Sequence, residues 1–242
     1  KTVFIKKFYN ESIDEEILLK KEGHYISAKN GRLNALKKAI TKKFNLAIFD
    51  DGLQDKSIDY NLRIVCFNKQ NFVGNGFLIP AGPLREHITS LKEYDVVFLN
   101  GYGNNVKKKI SRIKKINKEI KIFETTYHLV KEKKVNKKDR FVAFAGIGTP
   151  DNFKKTLDSH GFNVTKFLSY PDHYNYSDLD IKKIKQIAKS FKAKILTTEK
   201  DFLRIKNNNQ LKNDKSNQIK FLKMKLEIKN EKNFINFLKS RI

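Results

Sequence analysis

Strand-like and helix-like segments alternate along the whole chain, which predicts an α/β fold of layered sheets and helices. Two kinds of observation carry that expectation. The runs 46–49 (LAIF) and 141–145 (FVAFA) are short, continuous and apolar, the pattern of parallel strands covered on both faces. Between such runs lie amphipathic stretches with a 3.6-residue period. In 30–44, Leu33, Leu36, Ile40 and Phe44 fall on one helical face while lysines take the other.

The remaining elements follow in order. Residues 2–8 (TVFIKKF) read as a strand, and an acidic stretch at 11–16 leads into an apolar helix start. Strands are expected at 62–67, 94–99 and 121–124, with a helix at 107–118. The segment 68–87 contains Gly74, Gly76, Pro80, Gly82 and Pro83 and has no lasting period. Its Phe72, Val73, Phe77, Leu78 and Ile79 argue for an ordered ligand loop. A lysine-rich patch at 131–138 separates two expected domains, 1–126 and 127–242. In the second, Thr149 and Pro150 start a helix that Gly161 stops. Strands fall at 164–168 and 194–197. Ser177 with Asp180 forms a capping box for a helix whose core stripe is Ile181, Ile184, Ile187 and Phe191. A last strand and helix occupy the tail from 219.

The chain has 242 residues and a mean hydropathy of −0.59, with no apolar run near the roughly 18 residues that cross a bilayer. One cysteine, Cys66, excludes a disulfide framework and a cysteine-built zinc site; it reads as inert core. Net charge is +25 from 51 basic and 26 acidic residues. Only seven of the basic residues are arginine (32, 63, 85, 112, 140, 204 and 241), and the lysines are spread among Asn and Ile. That dispersal argues against a dedicated nucleic-acid surface and fits an anionic membrane face at least as well. The chain starts at Lys1 and its only methionine is Met224, so it reads as a trimmed piece of a longer product.

Several sites could carry chemistry. Asp50 and Asp51 directly follow LAIF, the placement of a Walker B carboxylate that holds Mg²⁺ near nucleotide phosphates; a solvated Gly52 turn would look the same. Asp14, Glu15 and Glu16 open a helix and could simply complement its dipole. Arg85 beside Glu86, in a loop stiffened by two prolines, offers a phosphate-binding fork or a surface ion pair. His173, in PDHY after a strand, could assist proton transfer or be a surface residue. Gly146-Ile147-Gly148 before a helix reads as tight packing more readily than as an anion site.

Taken together, DDGLQ at 50–54, VGNGFLIPAGPLRE at 73–86, FAGIGTPDNF at 144–153, PDHY at 171–174 and TTEKD at 197–201 resemble the tetraacyldisaccharide 4'-kinases, the lipid A 4'-kinases of Gram-negative bacteria. The resemblance spans nearly the whole chain. It implies two α/β/α sandwich domains, a P-loop NTPase-like one and a smaller Rossmann-like one, joined by a two-stranded linker, with the active site in the cleft between them. It also implies transfer of the ATP γ-phosphoryl group to the 4'-hydroxyl of tetraacyldisaccharide 1-phosphate, with ATP and Mg²⁺ as cofactors. The expected setting is the cytoplasmic face of the bacterial inner membrane, with attachment peripheral or through an N-terminal helix, and the expected state is a monomer.

Residue by residue, Asp14 and His173 match the catalytic aspartate and its histidine partner. Glu15, Asp50 and Asp51 match the metal-side acids, with Gln54 on the nucleotide side. Asn75, Arg85 and Glu86 match the lipid-substrate loop. Three departures stand out: no Gly-rich P-loop occurs in these 242 residues, Ile13 replaces the glycine before the catalytic aspartate, and Asp55 stands where a histidine is usual. The chain by itself is therefore expected to be inactive. The alternatives are a basic, non-catalytic nucleic-acid- or lipid-binding module, and an inactive relative of the kinases.

Overall fold

The structure, a computed structural model, describes residues 1–9, 13–130, 135–207 and 219–241. The first residues of the acidic stretch and half of the lysine-rich patch (131–134) lie outside them. Among the described residues, eleven strands and seven α-helices follow in chain order: β1 Thr2–Lys6, α1 Ile13–Glu22, β2 His24–Ser27, α2 Arg32–Thr41, β3 Leu46–Asp50, β4 Ile64–Asn68, β5 Val96–Asn100, α3 Val106–Ile116, β6 Lys121–Leu129, β7 Arg140–Ala145, α4 Pro150–Ser159, β8 Asn163–Ser169, α5 Asp178–Ser190, β9 Lys194–Thr198, α6 Glu199–Asn207, β10 Ile219–Leu222, β11 Met224–Ile228 and α7 Glu231–Lys239. A 3₁₀ helix, Ile88–Glu93, precedes β5. The mixed α/β class expected from the alternation is what the chain forms. The chain spans two compact units, Lys1–Ile58 with Leu129–Met224, and Asp59–His128 with Lys225–Ile242. Each draws on both of the expected stretches 1–126 and 127–242. Two of the three passages between units run through β6 and β11, which are neighbours in one sheet.

The first unit holds two parallel sheets, ordered β2-β1-β3 and β10-β9-β7-β8. Strand β7 shows why an unbroken apolar run is needed. Phe141, Ala143 and Ala145 pack with Phe153 and Leu157 of α4, whereas Val142 and Phe144 pack with Ile181 and Ile184 of α5. Helices thus cover both faces of that sheet. Around β1 the core is Val3, Ile5, Ile26, Ala35 and Ala39.

Four side-chain expectations need correction. Helix α2 turns Arg32, Ala35 and Ala39 inward, leaving Leu33 and Ile40 exposed; the alanines let its backbone come close to the sheet. Helix α5 buries Ala188, and Phe191 at its end is exposed. LAIF is only half-covered, with Ile48 exposed. Cys66 is exposed on β4 and is not core. Two other expectations are met in detail: the Ser177–Asp180 capping box forms, and Gly161 takes a φ of +74° as α4 ends.

The second unit orders its sheet β11-β6-β5-β4, with Val96, Val97 and Leu99 of β5 fully buried. No helix among the described residues is long and apolar enough to cross a membrane.

Candidate active site

Asp14, Glu15 and Glu16 occupy the first turn of α1, where carboxylates complement the helix dipole. Successive helical residues point about 100° apart, so the three reach different partners. Glu16, half-buried, pairs with the exposed Lys20, four residues on, at 2.8 Å. Glu15 meets two lysines, Lys6 at 2.8 Å and Lys200 at 2.6 Å. Burial alone would raise its carboxyl, but hydrogen bonds and charge from Lys200 and Lys6 outweigh burial and hold it at about 2. Asp14 turns inward and its side chain is 0% exposed.

The β-register explains the Lys6 contacts. Lys6 on β1 lies opposite Asp50 on β3, so the two side chains leave the same sheet face at strand ends, and the ammonium is 2.6 Å from Asp50 Oδ2. Burial lowers the Lys6 ammonium, but Asp50 and Glu15 more than compensate, and the net direction is up. Glu15 and Asp50 thus converge on one cation. Asp51, next along, has a φ of +55°, an unusual backbone for a non-glycine residue, and its carbonyl accepts from Arg32 Nη2 at 2.6 Å. Gln54 is exposed just beyond.

Asp14 is met by Arg204 of α6, whose side chain is 8% exposed: Nη2 lies 3.0 Å from Asp14 Oδ2. Among the described residues neither Asp14 oxygen accepts a hydrogen bond of good geometry. The carboxylate is therefore charge-paired while its lone pairs stay available, as a proton acceptor requires. The same Nη2 is 3.4 Å from His173 Nδ1. His173 also has a φ of +55°, stabilised by Asp172, whose Oδ1 accepts from the His173 backbone N–H at 2.9 Å. Asp14 and His173 were expected as direct partners; the guanidinium of Arg204 contacts both.

Asp201 anchors this arginine from below. Its Oδ1 accepts from Gly146 N at 3.1 Å, Tyr176 Oη at 3.0 Å and Arg204 Nη1 at 3.2 Å, and Oδ2 accepts from Thr198 Oγ1 at 2.6 Å. Burial nevertheless pushes the Asp201 carboxyl up, and burial beside Asp201 pushes the Tyr176 hydroxyl up. Gly146 is confined here: a Cβ would sit 2.8 Å from Tyr176 Oη. Its N–H serves Asp201 and its carbonyl accepts from Arg204 Nη1 at 2.5 Å, which favours the packing reading of Gly146-Ile147-Gly148.

The proline-rich loop belongs to the second unit. Asn75 is engaged within it: Nδ2 donates to Ala81 O at 2.8 Å, and Oδ1 accepts from Phe77 N at 3.1 Å. Gly82 has no room for a side chain, since a Cβ would fall 2.2 Å from Asn75 Oδ1. Arg85 is exposed beyond this turn. Glu86 accepts from Tyr94 Oη, and burial together with that carboxylate pushes the Tyr94 hydroxyl up.

Sequence reasoning did not assign Lys6, Lys200, Asp201 or Arg204. The last three sit in or just after TTEKD, and the Asp201–Arg204 spacing of three residues on a helix was the available signal.

Residues 7–242 match the family model described as Tetraacyldisaccharide-1-P 4'-kinase. The chain is 44% identical over 235 residues to a protein of Pelagibacter ubique named tetraacyldisaccharide 4'-kinase, covering 97% of this chain and 73% of that one. To the protein of the same name from Rickettsia bellii it is 36% identical, over 90% of this chain and 64% of that one. It therefore spans about three quarters of the first relative and just under two thirds of the second. A crystal structure of LpxK from Aquifex aeolicus in complex with ATP shares the fold, with a TM-score of 0.66 at 20% identity over 99% of this chain and 78% of that one.

Proposed function

Because the chain belongs to the tetraacyldisaccharide-1-P 4'-kinase family, we propose that it carries the acceptor-activating part of a lipid A 4'-kinase. The reaction moves the γ-phosphoryl group of ATP to the 4'-hydroxyl of tetraacyldisaccharide 1-phosphate. The observation that carries the residue assignment is Asp14: fully buried, ion-paired to Arg204 and with no oxygen committed to a hydrogen bond.

In this reading Asp14 accepts the 4'-hydroxyl proton as that oxygen bonds to the γ-phosphorus and the bond to the bridging oxygen breaks, releasing ADP. Protein groups supply mainly placement and charge neutralisation to such a transfer. His173, sharing the Arg204 guanidinium, sets the geometry around the carboxylate.

Among the described residues no three acids, histidines or cysteines are grouped as a metal cage. Mg²⁺ usually needs only one or two carboxylates beside phosphates and water, and Glu15 and Asp50 converging on Lys6 fit that demand. They would hold the ion, with Asp51 and Gln54 on the nucleotide side, and the ion would neutralise phosphate charge. Arg85, Glu86 and the loop that Asn75 braces would meet the disaccharide. The net charge of +25 supports contact with anionic lipid at the cytoplasmic face of the inner membrane.

The test is ATP-dependent phosphorylation of the disaccharide by the full-length protein and its Asp14→Asn variant. Loss of a general base costs about 10²- to 10⁴-fold in turnover. An Asp14→Asn enzyme with undiminished turnover overturns the assignment.

A further inference from the structure

Arg204 is placed unlike any other arginine in the first unit. Its side chain is 8% exposed, and four partners from four segments surround the guanidinium: Asp14 on α1, Asp201 on its own helix, the Gly146 carbonyl after β7, and His173 in the loop before α5. Two carboxylates share this one positive charge, and Tyr176 and Thr198 donate to Asp201 from behind it. A buried charge with this many fixed contacts costs desolvation energy that surface packing alone would not require.

The contact with His173 has a definite sense. A guanidinium has only N–H donors and stays charged, so the ring nitrogen facing it must be the acceptor. Nδ1 of His173 lies 3.4 Å from Nη2 and therefore carries the lone pair, which leaves the ring proton on Nε2. On the same nitrogen of Arg204, 3.0 Å away, is Asp14 Oδ2. One rigid, planar group is thereby ion-paired to Asp14 and within hydrogen-bond range of His173.

Resting on the kinase reading above, we propose that Arg204 is a positioning residue for the phosphoryl transfer: its guanidinium holds the Asp14 carboxylate as an ion pair and orients the His173 ring with its proton on Nε2. It acts through these two residues and does not itself meet the substrate.

Two measurements test this. Long-range ¹H–¹⁵N correlation NMR on the labelled 242-residue chain at about pH 8, where an ordinary histidine is neutral, reads the His173 tautomer; His173→Asn assigns the signal. The expected result is a single Nε2–H form in the parent and a mixture in Arg204→Met. In kinase assays of the full-length protein, Arg204→Met is expected to lose about 100-fold in kcat or more, with KM for ATP within about threefold. Arg204→Lys, which keeps the charge on Asp14 but not the planar fork, should recover part of that loss.

A parent ring protonated at Nδ1 overturns the proposal, and so does Arg204→Met with kcat within threefold of the parent. A purely structural arginine would lower stability while the folded fraction turned over at the normal rate. If Arg204→Met does not fold, the parent tautomer and the Arg204→Lys kinetics decide. Should the unmutated full-length protein fail to phosphorylate the disaccharide, the kinase reading falls, while the tautomer still reports on the Arg204–His173 contact.

Discussion

Replacing Glu15 by glutamine should destabilise the first unit, and the size and pH dependence of the effect can be worked from its contacts. The carboxyl titrates near 4.5 when free and at about 2 in the fold, held down by Lys200 and Lys6 against the opposing effect of burial. At about 1.4 kcal/mol per unit this difference has a ceiling of about 3 kcal/mol. Lys200 is 40% exposed, so solvent screens part of it, and about 2 kcal/mol is the working figure at neutral pH. A folded-state value below the unfolded one means the contribution is fully present above pH 4.5 and is lost as pH falls towards 2. Urea unfolding of parent and Glu15→Gln, followed by far-ultraviolet circular dichroism because the chain has no tryptophan, should therefore give a difference of about 2 kcal/mol at pH 7. By about pH 3.5 it should fall to roughly half. A difference below about 0.5 kcal/mol at pH 7, or one unchanged between the two pH values, would refute the ion-pair account.

Three further outcomes follow from local geometry. Ser177→Ala removes the Oγ that accepts from Asp180 N–H at 3.2 Å in the α5 capping box and donates to Asp180 Oδ2 at 2.6 Å, leaving the reciprocal bond from Ser177 N–H to Asp180 Oδ2, and should cost about 1 kcal/mol in the urea midpoint analysis. Ile184→Ala empties a fully buried position between α5 and β7 and should cost about 2–5 kcal/mol in the same measurement. Gly82→Ala forces a Cβ to within 2.2 Å of Asn75 Oδ1 and 2.4 Å of Phe77 O. It should raise the full-length enzyme's KM for the disaccharide about tenfold or more, with KM for ATP little changed, if the 73–86 loop meets that substrate.

Much of the fold was legible because its signals are local. An uninterrupted apolar run such as FVAFA has no polar face to offer solvent, so a strand covered on both sides is its natural setting. A serine three residues before an aspartate satisfies helix N–H groups wherever the chain lies, and that box forms as expected. Asp14, Glu15, Asp50, Asp51 and His173 could be named from motifs, and Asp51 and His173 both prove to have positive φ values.

Other features depend on distance in space. The inward face of α2 is decided by how closely a backbone can approach the β1–β3 sheet, which favours Ala35 and Ala39 over larger apolar neighbours. Hydrophobic periodicity scores those neighbours more highly and so picks the wrong face. The register of β1 against β3, invisible in either strand alone, sets Lys6 beside Asp50 and creates a cation between two acids.

Arg204 illustrates the same division most sharply. By itself the sequence determined that an aspartate opens a helix, that a histidine follows a strand 159 positions later, and that an arginine lies three residues beyond TTEKD. Only the tertiary structure brought them to one guanidinium, because Coulomb and hydrogen-bond forces act over a few ångströms of space and are blind to the number of residues between.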